Sequence, residues 1–200
     1  MQDDFTIEAW IKTTELVAIG SSAWDGTPIL YGDIVTPNSN DFTTGVVNGL
    51  YELTIGGPDT TVRSKTNVAT GVWFHVAATR QRSTSLIQVL VNGALEQSAT
   101  TSNTNALTAS PTLLLAGNLV SQLPLTGQIE EFRIWNVVRS PLEIASTMHL
   151  RLTGNEPGLV LYFAFEEGSG SALIDGSPTH TAVTVTGPLA WVPSDAPICP

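Results

Sequence analysis

The chain has 200 residues, 42% of them hydrophobic and 13% charged, and its 8 basic and 18 acidic residues give a formal net charge of -10. That length suits one domain or one large β-sandwich, with apolar content enough for a sizeable core. An acidic chain without a Lys/Arg cluster repels a phosphate backbone and an anionic bilayer, and its longest aliphatic run (113–116) is far too short to span one, so neither nucleic acid binding nor membrane insertion is expected.

The sole cysteine, Cys199, excludes an internal disulfide framework or a cysteine-based metal site. Met1 leads straight into Gln-Asp-Asp-Phe, without a basic or apolar leader region, so no signal peptide is expected. Residues 5–12 alternate: Phe5, Ile7, Ala9 and Ile11 share one face, and Thr6, Glu8, Trp10 and Lys12 the other. A short apolar run at 16–19 precedes a loop that carries Trp24 and Asp25. Residues 28–34 read as a strand, 36–41 as a polar loop, 46–55 as one strand and 56–59 as a turn. A polar strand at 60–65 and a turn at 67–71 follow, then a strand at 72–79. Strands at 86–91 and 94–99 flank Asn92-Gly93, a type I′ hairpin signal. A polar loop precedes a strand at 111–116 and a loop at 117–122.

Residues 127–135 alternate again, and then the period changes. Ser140 is a good N-cap, Pro141 suits the first helical position and Glu143 completes a capping box, so a short helix should run to about His149. Beyond the break at 154–158 lie a strong strand at 159–165, two short strands at 182–185 and 189–192, and a proline-rich tail. About a dozen short strands with frequent turns imply an all-β, two-sheet antiparallel sandwich, a jelly roll with one short helix near 141–149. One domain over 1–193 and a tail over 194–200 are expected.

Four motifs in order resemble the laminin-G-like and pentraxin-like jelly rolls of the concanavalin A-like lectin/glucanase superfamily. They are Phe5-Thr6-Ile7-Glu8-Ala9-Trp10-Ile11, Gly71-Val72-Trp73-Phe74-His75-Val76-Ala77, Val91-Asn92-Gly93 and the stretch from Gly127 to Trp135. The segment from Leu159 to Gly170, with Asp175-Gly176-Ser177 and Trp191, resembles one that often opens such domains. Here it comes last, so residues 158–193 are expected to supply strands in permuted order.

The superfamily includes glucanases, whose laminarinase-type members place acids at alternate strand positions, about 5.5 Å apart on one face. Glu130 and Glu131 are adjacent and should point to opposite faces, as should Glu166 and Glu167, so no catalysis is expected. His75, His149 and His180 have no partner at metal-binding spacing. The resemblance to pentraxins implies calcium held by an early Asp-Asn pair and a later acidic loop. Asp25 fits the first position, but Gly26 replaces the Asn, and the later loop offers Asn118 and Gln122 without a carboxylate. A double site is therefore not expected; the room left is for a single weak calcium ion on Asp25 and Asp33.

A glycan needs an aromatic plane for its apolar face and amides or carboxylates for its hydroxyls. Trp24 and Asp25, with Tyr31, Asn38, Asn40, Asp41, Asn118 and Gln122, form the candidate ligand set; the alternative for Trp24 is a loop anchor over a sheet end. Trp10, Trp73 and Trp135 are expected in strands as core or sheet-face residues, and Trp191 as a pin for the tail. The reading is a non-catalytic, extracellular or cell-surface recognition module for a glycan or matrix ligand. The alternative is a structural, protein-interaction or homo-oligomerisation module of a larger assembly.

Overall fold

The computed structural model describes residues 3–16, 25–34, 39–108, 112–117, 124–187 and 189–199. Its strands are β1 (Phe5–Thr13), β2 (Thr27–Tyr31), β3 (Phe42–Val47), β4 (Leu50–Ile55), β5 (Thr60–Asn67), β6 (Phe74–Gln81), β7 (Leu86–Val91), β8 (Ala94–Thr100), β9 (Leu114–Leu115), β10 (Gly127–Trp135) and β11 (Leu159–Phe163), with helix α1 (Pro141–Thr147) between the last two. They form a six-stranded sheet in the order β11-β10-β1-β6-β7-β8 and a five-stranded sheet in the order β5-β4-β3-β2-β9. All strand pairs are antiparallel.

The alternation in β1 does what its period demands. Phe5, Ile7, Ala9 and Ile11 enter one core with Phe42, Val46, Leu53 and Ile55 of the facing sheet, and the Phe5 and Phe42 rings meet across it at 5.4 Å. The strand at the end of the chain joins the same structure. β11 takes the edge beside β10, and the rings of Phe132 and Phe163 stack at 6.2 Å.

Several sequence expectations are corrected. Residues 46–55 are two strands, because Asn48 (φ 49°) and Gly49 (φ 82°) turn the chain between β3 and β4. Of the expected strand at 111–116, the described residues 112–116 hold strand only at Leu114–Leu115. No strand forms at 182–185 or 189–192; their residues lie mostly exposed and pair with no sheet edge. Trp73 lies just before β6, half-buried, and not within a strand. The capping box is present, Ser140 accepting from the Glu143 N–H at 3.3 Å and Glu143 from the Ser140 N–H at 2.7 Å, although the helix ends at Thr147.

The outward face of the six-stranded sheet carries a second buried layer, and this one is polar. α1 covers it: Ile144 packs on Ala77 and Leu90, and the Trp10 indole donates to Met148 O at 2.6 Å. Beneath the helix, Glu8 Oε1 accepts from Trp135 Nε1 and from Arg139 Nη1, both at 2.8 Å. Arg139 lies 4.2 Å over the Trp135 ring. Arg133 Nη2 reaches Glu131 Oε2 at 2.6 Å, and the Tyr162 hydroxyl donates to the same carboxylate at 2.9 Å. The carboxylates of Glu8 and Glu131 thus balance the guanidiniums of Arg133 and Arg139, as buried charges require.

The expectation that Glu130 and Glu131 point to opposite faces fails. In the β1–β10 ladder Glu8 pairs with Arg133 and Trp10 with Glu130, so one residue of β1 faces two of β10. This is a β-bulge, and Glu131 takes it up at φ 50°. Glu130, paired with outward-facing Trp10, and Glu131, bonded to Arg133 and Tyr162, both serve the outer face.

Candidate functional site

Of the residues singled out in the sequence, Trp24, Asn38, Asn118 and Gln122 lie outside the described residues. Asp25 lies two residues before β2 and Asp33 two residues after it. A five-residue strand between them, at about 3.3 Å per residue, keeps the two carboxylates from sharing one ion. Among the described residues, no group of three or more His, Cys, Asp or Glu side chains is placed to hold a metal.

Tyr31, Asp33, Asn40 and Asp41 do come together at one end of the five-stranded sheet. The Tyr31 hydroxyl donates to Asp33 Oδ2 at 3.0 Å, the Ile34 N–H donates to Asp41 Oδ2 at 2.9 Å, and Asn103 Nδ2 donates to Asn40 Oδ1 at 3.1 Å. The chain packs closely there: a Cβ on Gly56 would lie 2.1 Å from Asp41 Oδ1. Burial, with Asp33 adding to it against the Ile34 hydrogen bond, pushes the Asp41 carboxyl up to about 7. These polar atoms are spent on one another and on the loops, so their main product is loop shape. On the same sheet the buried carboxylate of Glu52 meets Arg63 at 3.0 Å, and burial, opposed by Arg63, pushes it up to about 7.

The more open concavity lies on the other sheet, where the chain after β11 folds back. The anchor is Asp175. Its Oδ1 accepts from the N–H groups of Tyr162 at 3.0 Å and Ser177 at 2.9 Å, and its Oδ2 from that of Thr181 at 2.7 Å. Gly176 N–H donates to Tyr162 O at 2.8 Å. Farther on, the Trp191 indole N–H donates to Gly170 O at 2.8 Å, which fixes the ring. The last residues cross the outer face: Asp195 accepts from Lys12 Nζ at 2.8 Å and from Trp73 Nε1 at 2.6 Å, while the His149 ring meets Pro197 O at 2.6 Å.

Between β10 and this returning segment is a cleft of about 310 Å³ lined by Glu130, Phe165, Glu166, Trp191, Pro193 and Ser194 among others. Glu130 is 8% exposed. Burial first, then the charges of Glu166 and Glu131, raise its carboxyl above the ordinary range, against a hydrogen bond from Ser194. Glu166 is held by Arg151 at 2.5 Å. A second, mainly apolar cleft of about 280 Å³, lined by Tyr162, Ala164, Ile174, Gly176 and Glu167, adjoins it across Glu166. An aromatic side chain, a hydroxyl and two carboxylates around one concavity suit a polyol with an apolar face.

Sequence reasoning missed this arrangement by treating Trp191 as a pin and Glu130 as one of an opposed pair. The available signal was a tryptophan between two prolines, Pro188 and Pro193, downstream of Phe165-Glu166-Glu167-Gly168.

Solved structures share the fold. A candidate carbohydrate binding protein from Bacteroides ovatus superposes with a TM-score of 0.67 at 20% identity, over 95% of this chain and 56% of that one. This chain therefore spans little more than half of that protein. The CBM40 of the Ruminococcus gnavus IT-sialidase, bound to α2,3-sialyllactose, gives 0.58 at 19% identity, over 72% of this chain and 82% of that one. Domain 4 of AbnA, a GH43 extracellular arabinanase from Geobacillus stearothermophilus, in complex with arabinotriose, gives 0.56 at 22% identity, over 72% and 66%. No curated protein matches the chain. The profile of a laminin-G-like family matches residues 2–145, and by that match the chain belongs to the concanavalin A-like lectin/glucanases superfamily.

Proposed function

We propose that the chain is a non-catalytic carbohydrate-binding module that seats a sugar in the Trp191 cleft. The observation that carries this reading is the placement of Trp191, Glu130, Glu166 and Ser194 around one open volume of about 310 Å³. The ring offers an apolar plane, and the carboxylates and hydroxyl accept from sugar hydroxyls. The fold shared with the R. gnavus CBM40 and the arabinanase domain, both solved with saccharides, supports the class of ligand. An extracellular or cell-surface setting fits a module of this kind.

Binding is favoured over turnover by how the carboxylates are used. Glu131 is sequestered by Arg133 and Tyr162, and Glu166 is tied to Arg151. Neither of these two therefore stands free beside Glu130 as the second member of a nucleophile-and-acid pair.

The test is a glycan array followed by titration of the best ligands. Trp191→Ala should weaken binding on the order of tenfold, the effect of losing about 1.4 kcal/mol of stacking and apolar contact. A variant that binds its glycans as tightly as the parent would move the site elsewhere.

A further inference from the structure

Resting on the assignment of the Trp191 cleft as the sugar site, we propose that the cleft selects a positively charged, amine-bearing sugar over its N-acetylated and acidic counterparts. Two carboxylates, Glu130 and Glu166, line the cleft, and its described lining holds no Lys, Arg or His. The nearby cations are already engaged. Arg151 is paired with Glu166 at 2.5 Å, and Arg133 with Glu131 at 2.6 Å. Glu130 is left as a carboxylate more than nine-tenths buried, on a wall of the cleft, with the Ser194 side chain as its hydrogen-bond partner.

An ammonium group entering the cleft meets an unneutralised carboxylate in a partly desolvated place, where a charge-assisted hydrogen bond is strongest. The Trp191 ring adds to this, since an indole face attracts cations. Acetylating the amine removes the charge and retains only the stacking. An acidic sugar brings a like charge to the Glu130 carboxylate on a chain of formal net charge -10. Burial and the neighbouring charges of Glu166 and Glu131 raise the Glu130 carboxyl, against the Ser194 hydrogen bond and the charge of Arg151, and an ammonium would lower it further.

The experiment compares a glucosamine oligomer, the matching N-acetylglucosamine oligomer and α2,3-sialyllactose by calorimetric titration. It is run at about pH 6 and again at about pH 7, because the amine keeps its proton best at the lower value and the raised Glu130 carboxyl gives its proton up best at the higher. The expected result is binding of the amine oligomer on the order of tenfold tighter than the N-acetylated one, a sum of cation–π and ion-pair contributions. Glu130→Gln, which keeps the shape and removes the charge, should cut the ratio severalfold, leaving only the cation–π share from Trp191, without abolishing N-acetylglucosamine binding. Trp191→Ala and the milder Trp191→Phe should weaken both ligands, with circular dichroism showing that each variant is folded. Equal affinities for the two oligomers, both lowered by Trp191→Ala, would overturn the charge selectivity and leave the sugar site standing. So would tighter binding of sialyllactose. Failure of every saccharide to bind would remove the sugar site itself, and the selectivity with it.

Discussion

Glu8 and Arg139 meet at 2.8 Å in the buried layer under α1, although 131 residues separate them in the chain. The same Glu8 oxygen takes the Trp135 indole N–H. One carboxylate therefore ties β1, the end of β10 and the helix cap region together. Glu8→Ala would strand Arg139, and in part Arg133, as buried cations. Breaking such a pair from one side costs about 3–5 kcal/mol. Urea denaturation should show that loss in the midpoint with the slope unchanged; a loss below about 1 kcal/mol would mean that the layer is not the clamp described.

His75, in the same layer, predicts a pH effect. Burial, then the charges of Arg133, His149 and Arg139, hold its imidazole well below the ordinary histidine range. Among the described residues neither ring nitrogen finds a hydrogen-bond partner, and Nε2 stands 3.5 Å from Glu8 Oε2. Below about pH 6.5 the unfolded chain takes a proton on this residue that the folded chain refuses. Stability is thus lost as pH falls, by up to about 1.4 kcal/mol per pH unit. Glu52 and Asp41 act with the opposite sign. Their carboxyls are pushed up to about 7 in the folded chain, so they contribute stability at low pH that fades as pH rises through that value. The difference between wild type and His75→Phe isolates the histidine. The wild-type stability minus that of the variant should stay level from pH 8 to about pH 6.5 and fall below it, and a constant difference down to pH 5 would contradict a neutral, buried His75.

Much of the fold is legible because its causes are local. The capping box at Ser140 and Glu143 is a matter of residues three apart, and the β1 alternation is a matter of period. Asn92-Gly93 announces its turn, with both residues at positive φ. The same dipeptide at Asn48-Gly49 was hidden by apolar residues on both sides, which let one strand seem to run through it. The bulge at Glu131 is set by the register of β10 against β1, and no window of sequence contains that register. The cleft needs the chain after β11 to return across β10, so Trp191 and Glu130, 61 positions apart, could not be joined from spacing. Of the loop residues chosen beforehand, Tyr31, Asp33, Asn40 and Asp41 do gather, but as a clamp whose polar atoms already have partners.

Asp175 makes a third prediction. It is 4% exposed and accepts three backbone N–H groups that hold the returning segment to β11. Burial alone would raise its carboxyl, but these hydrogen bonds prevail and lower it. Its contribution is therefore full above the unfolded value near pH 4 and fades as pH falls through the depressed folded value. Asp175→Ala leaves those donors buried without an acceptor, at a cost of about 2–4 kcal/mol. Thermal melts should register that cost, and proteolysis should cut first between residues 164 and 187. A variant as protease-resistant as the parent would contradict the role given to Asp175.

Glu96 makes a fourth. It reaches from the edge strand β8 to the N–H groups of Lys65 and Thr66 in β5, at 2.6 and 2.9 Å, and so joins the rims of the two sheets. Those hydrogen bonds outweigh burial and lower its carboxyl. Glu96→Gln should cost about 1–2 kcal/mol, as charge-assisted bonds become ordinary ones. Amide exchange of Lys65 and Thr66 should quicken in the variant, and unchanged protection there would argue against the bridge.

On the proposed sugar site, the bulge in β10 would also link ligand occupancy to the strength of the fold. One peptide bond joins Glu131, locked into the layer under the helix, to Glu130, on the wall of the cleft. A guest that draws on Glu130 acts on the same short piece of backbone that keeps Arg133 neutralised. By reciprocity, whatever steadies that backbone raises affinity, and whatever fills the cleft delays melting.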